Sequence, residues 1–128
     1  MSEPLPEAEQ LNKEGLAALG ERLGDGPVVM LNLLAFNPDG GAERYAKYTA
    51  AVTPLLEGVG GRIVFAGAAG PALIGDGRWD AVALAEYPTR QAFMDMVTSP
   101  EYEAIAHLRT EALADSALHP LDPVDPLP

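Results

Sequence analysis

The chain has no cysteine, two histidines, and eight lysine and arginine residues against nineteen acids in 128 positions. Without thiols there are no disulfides, thiolate nucleophiles or cysteine zinc sites, and two well-separated histidines do not make a metal cluster. A net charge of −11 surrounds the molecule with a field that repels phosphate backbones and anionic lipid, which disfavours nucleic acid and membrane surfaces as partners. No run approaches the roughly eighteen apolar residues of a membrane span. The opening Met1-Ser2-Glu3-Pro4 lacks the basic and apolar regions of a secretory signal, so a cytoplasmic protein without a cofactor is expected.

Nearly half of the residues are hydrophobic, enough for one domain with a core. Gly24-Asp25-Gly26-Pro27 separates a helical pattern from a strongly apolar run. Residues 1–26 read as an arm, with Leu11, Leu16, Leu19 and Leu23 on one face of a helix over about residues 7–23. Residues 27–121 read as the domain proper and 122–128 as a Pro-rich, polyproline-like tail. Within the domain, Val28–Phe36 is apolar except for Asn32 and predicts a strand covered on both faces. A helix follows over about 42–57, with a kink or early fraying expected at Pro54. Residues 62–66 predict a strand, 72–74 a short edge strand, and 80–87 a third long strand. Thr89 caps one helix, and Ser99-Pro100-Glu101 starts another that reaches about residue 113. Residues 114–121 supply the last strand.

The order is an extra N-terminal helix, then β-α-β-β-α-β: a ferredoxin-like α+β fold with a four-stranded antiparallel sheet and two helices on one face. Met30 and Leu34 point to one side of the first strand, and Val29, Leu31 and Leu33 to the other. Two helices cover one side only. A second copy, forming a dimeric α/β barrel, is the simplest cover for the other side, and the arm is the competing cover.

Met30-Leu31-Asn32-Leu33, Gly60-Gly61-Arg62, Leu73-Ile74-Gly75, Trp79-Asp80, Glu86-Tyr87-Pro88 and Ser99-Pro100-Glu101-Tyr102 with Arg109 following resemble the bacterial family called domain of unknown function 1330. The resemblance runs from about Val28 to Leu118, and its most specific part is the Ser-Pro-Glu-Tyr turn. That family is similar to the dimeric α/β-barrel superfamily, which includes cofactor-independent monooxygenases, isomerases and haem enzymes. The resemblance implies the fold and a homodimer, and transmits no activity.

Six residues are candidates for a site. Asn32, an amide in a buried run, needs partners. It either orients a ligand or ties down a neighbouring strand. Arg109 projects onto the apolar face of its helix with Tyr102 and Ala106, so it needs an anion. Glu86 is the favoured internal partner, then Asp80, with a ligand carboxylate as the other option. Trp79, Tyr48 and Tyr102 are either core or pocket wall. The expected function is binding of a small acidic or aromatic metabolite in a cavity beside the sheet. The alternatives are a cofactor-independent monooxygenase or isomerase, with Asn32 and Arg109 holding the substrate and Glu86 as base, and a structural oligomerisation module.

Overall fold

Alternation along Val28–Phe36 decides how the chain layers. The computed structural model describes residues 11–22 and 26–124, in the order α1 (Lys13–Gly20), β1 (Val28–Phe36), α2 (Gly41–Gly58), β2 (Arg62–Ala68), β3 (Ala81–Tyr87), α3 (Arg90–Val97), α4 (Pro100–Ala112) and β4 (Leu113–Leu121). The strands form one antiparallel sheet in the order β2-β3-β1-β4, the ferredoxin-like arrangement expected. The sheet is open at β2 and β4, and no barrel closes among the described residues.

Val28, Met30 and Leu34 are buried against the helices. Their cross-strand partners lie on the same face: Ala81, Ala85 and Tyr87 on β3, and Ser116 and Pro120 on β4. Asn32 continues this face and pairs with Ala83 and Leu118. Tyr48, Val52 and Leu56 of α2 and Phe93 and Met96 of α3 close the core above it.

Local signals hold the helices where they are. Ser99 Oγ accepts from the Tyr102 amide at 3.1 Å, with Pro100 next in the first turn. Thr89 Oγ1 accepts from the Ala92 amide at 3.0 Å. Asn12 caps α1 by accepting from the Glu14 and Gly15 amides at 2.8 and 3.2 Å, so α1 starts later than residue 7; residues 1–10 and 23–25 lie outside the described residues. At Gly41 a side chain would sit 2.4 Å from the Ala112 carbonyl, so the glycine is what lets α2 start against the end of α4.

Two expectations about elements need correction. The early fraying offered as one outcome at Pro54 does not occur, since α2 runs through it to Gly58. Residues 72–74 form no strand: Leu73 and Ile74 are 100% and 97% exposed, because β2 ends at Ala68 and leaves them no neighbouring ladder.

Among the described residues, the arm does not cover the second sheet face. Leu19 is buried in the main core with Met30 and Phe93, so α1 lies on the helical side. Val29, Leu31, Leu33, Val82 and Leu84 face the other way by strict alternation, with Phe65 of β2 57% exposed beside Leu84.

Candidate functional site

Three of the four β3 residues on the helical face are alanines, Ala81, Ala83 and Ala85, and β2 adds Ala66 and Ala68 opposite them. Methyl groups do not reach across to α2. The space left between α2 and the sheet is a cavity of about 490 Å³, walled by those alanines, Tyr45, Tyr48, Val52 and Leu56, with Asp80 at its border. A second cavity of about 340 Å³ lies between α4, α3 and the sheet, lined by Met30, Phe93, Leu118, Tyr102, Arg109, Thr110 and Ser116, with Leu11 of the arm at its rim. Asn32, Tyr48, Tyr87 and Met96 border both.

Asn32 donates its amide to the Met30 and Ala83 carbonyls, both at 3.4 Å, long for N–H···O bonds. It therefore fastens the strands only weakly while presenting a polar edge to both cavities. The Tyr48 and Tyr102 hydroxyls are hydrogen-bonded at 2.9 Å, with their rings edge-to-face at 86°. Tyr45 stacks obliquely on Tyr48, and Phe36 on Tyr45, extending the aromatic wall. Burial pushes the Tyr48 phenol far above its ordinary range; the neighbouring Tyr102 pushes it further, and the Arg109 charge acts the other way. Burial likewise raises Tyr87, whose hydroxyl donates to the Met96 thioether at 3.9 Å, a weak acceptor. Both phenols are neutral hydrogen-bonding groups across the physiological range.

Four of the six sequence candidates, Asn32, Tyr48, Tyr102 and Arg109, meet around the second cavity. Glu86 and Trp79 do not. Glu86 lies between Ala85 and Tyr87, both turned to the helices, so parity sends it to the other face, where it accepts from Arg62 Nε at 3.0 Å. The expected Arg109–Glu86 pair is thereby replaced by Arg62–Glu86. Asp80 Oδ2 accepts from the Phe36 amide at 2.8 Å, tying β3 to the end of β1. Trp79 is half-buried just before β3 and lines neither cavity. Tyr87 and Met96 were missed by sequence reasoning, although alternation along β3 marks Tyr87 as inward. No group of three potential metal ligands occurs among the described residues, nor any helix long and apolar enough to cross a membrane.

The family model described as Domain of unknown function (DUF1330) matches residues 40–118. The RPA0582 protein of unknown function from Rhodopseudomonas palustris is 36% identical, with a TM-score of 0.84, covering 94% of this chain and 100% of that one. At 14% identity and a TM-score of 0.53, a dimeric ferredoxin-like protein of unknown function from Thermobifida fusca covers 75% of this chain and 90% of its own. A hydroxynitrile lyase from Passiflora edulis has 10% identity and a TM-score of 0.63 over 80% of this chain and 98% of that one. The last two are likenesses of fold. None of the curated proteins matches the chain.

Proposed function

The chain belongs to the DUF1330 family, and from that premise we propose that it is a homodimeric small-molecule-binding protein whose ligand occupies the helix–sheet cavities beside Asn32. The observation that carries this reading is the position of Asn32. It is the one polar side chain on the inward face of β1, its own bonds are long, and it borders two cavities with otherwise largely apolar walls. Apolar hollows with a few convergent polar groups are the usual form of a small-molecule site. Support for the dimer comes from the apolar second sheet face of Val29, Leu31, Leu33 and Leu84, which no helix of the described residues covers. The neighbour from Thermobifida fusca is itself described as dimeric.

Binding is favoured over turnover by the place of Glu86. The general base of the enzymatic alternative is ion-paired on the opposite face of the sheet from the cavities. The test fills the larger cavity with protein. Ala83→Leu should cost 1-naphthol at least tenfold in affinity by isothermal titration, while the melting temperature stays within a few degrees of the parent's. Unchanged naphthol affinity in a folded Ala83→Leu protein would remove this cavity as the site.

A further inference from the structure

Asp80 has bonding capacity to spare at the edge of an aromatic wall. Its Oδ2 accepts from the Phe36 amide at 2.8 Å, and its Oδ1 has no hydrogen bond and no ion pair among the described residues. Among those residues it is also the only charged side chain lining the 490 Å³ cavity. Resting on the binding reading above, we propose that the ligand of this cavity is an organic amine, with its ammonium beside Asp80 and its apolar body against the alanines of β2 and β3.

Apolar walls ask little of a ligand but shape, so the few polar groups decide its chemical class. Asp80 is a charged acceptor, and the second group with capacity to spare is an acceptor too. Asn32 spends its amide NH2 on the Met30 and Ala83 carbonyls, which leaves its Oδ1 without a partner among the described residues. Both groups select donors. No lysine, arginine or histidine among the described residues lines this cavity, so a carboxylate or phosphate would enter it without a counter-charge. The net charge of −11 draws cations toward the molecule and turns anions away.

The aromatic wall suits the same head. Because Asp80 holds the Phe36 amide, its carboxylate stands at the end of the run Phe36, Tyr45, Tyr48, whose successive ring centroids are 5.7 and 5.3 Å apart. An ammonium is attracted to the faces of such rings. Asp80 is exposed, so the ammonium keeps part of its water at the border while the body goes in, which spares most of the cost of burying a charge. The ligand's direction is fixed by the same division, since only one end of the cavity carries a charge.

The test uses two probes of nearly one shape, 1-naphthylmethylamine, which is protonated at neutral pH, and 1-naphthalenemethanol, titrated into the full chain. The expected result is at least fivefold tighter binding of the amine. That preference should vanish in Asp80→Asn, which keeps an acceptor for the Phe36 amide, and survive in Glu86→Gln, which removes the same unit of charge from the other face of the sheet. A second variant covers the case in which Asp80→Asn fails to fold: Thr49→Lys, which places a cation at an exposed lining position of α2, should weaken the amine at least fivefold relative to the alcohol. Equal binding of both probes would overturn the amine assignment and leave the cavity as a site. A preference that persists in Asp80→Asn, or that is unmoved by Thr49→Lys, would overturn the role of Asp80. If neither probe binds, the proposal fails, and 1-naphthol then separates the two readings: its binding keeps the cavity as a site, and its failure to bind removes both.

Discussion

Asp122, just beyond β4, is ion-paired to Arg90, the first residue of α3, which is 3% exposed. The same carboxylate binds Arg22 at the end of the arm, so one side chain joins the arm, α3 and the tail. Asp122→Asn would leave a buried guanidinium, whose Nη1 already has no hydrogen-bond partner, without its counter-charge. Losing one partner of a fully buried pair costs about 3–5 kcal/mol. Because Asp122 is itself 40% exposed, about 2 kcal/mol is expected. Urea unfolding should show a midpoint shift of that size for Asp122→Asn, and less than half of it for Arg22→Gln, whose side chain is 49% exposed.

The buried tyrosines set an alkaline limit. Both Tyr48 and Tyr87 have their ionisation raised in the folded chain, whereas in the unfolded chain they lose their protons near pH 10. Above that pH the native state holds more protons than the unfolded state, so stability falls as pH rises. Below it the contribution is constant. Thermal unfolding should therefore give a level melting temperature from about pH 7 to 9 and a steep decline above about pH 10. In Tyr48→Phe the decline should be shallower, and a slope identical to the parent's would show that Tyr48 does not carry it.

Most of the topology was legible because each strand and helix carried its own period and caps. Ser99-Pro100 started a helix, Thr89 capped one, and Val28–Phe36 was apolar except for Asn32, as a strand covered on both faces is. Projection of α4 correctly grouped Arg109 with Tyr102 and Ala106. Glu86 was misplaced because it was chosen for standing out in an apolar strand, when parity with Tyr87 already turned it outward. Arg90 gave no local sign of burial. Its environment depends on Asp122, which lies beyond the end of β4. The alanines of β3 were visible as small residues, but the volume above them depends on the height at which α2 crosses the sheet, and local pattern does not fix that height.

Asn32 separates stability from binding. Its two hydrogen bonds are long and contribute little, on the order of 0.5 kcal/mol each at most. Asn32→Leu, which adds apolar surface to a largely apolar wall, should change stability by less than about 1 kcal/mol. Affinity for 1-naphthol should nevertheless fall at least fivefold, because the polar edge on the cavity floor is gone. Chemical denaturation and titration calorimetry on the same preparation test this. A loss of several kcal/mol in stability would mean that Asn32 is chiefly a strand fastener.

The second sheet face supplies the last prediction. Leu31 and Leu33 lie at its centre, flanked by Val82 and Leu84 of β3 and by Ala117 and His119 of β4. Burying a leucine side chain contributes about 2 kcal/mol, so a few such residues from each of two copies supply a large part of the drive for association. Replacing one with a carboxylate places two like charges near a two-fold axis and strands each in an apolar contact. Leu33→Asp should therefore run as a single chain in sedimentation at micromolar concentration, while the parent runs as two. Leu73→Asp, at a fully exposed residue of the β2–β3 loop, should keep the parent's mass. A parent that already sediments at the mass of one chain would show that this face does not join two copies, and would leave its apolar residues to a different partner.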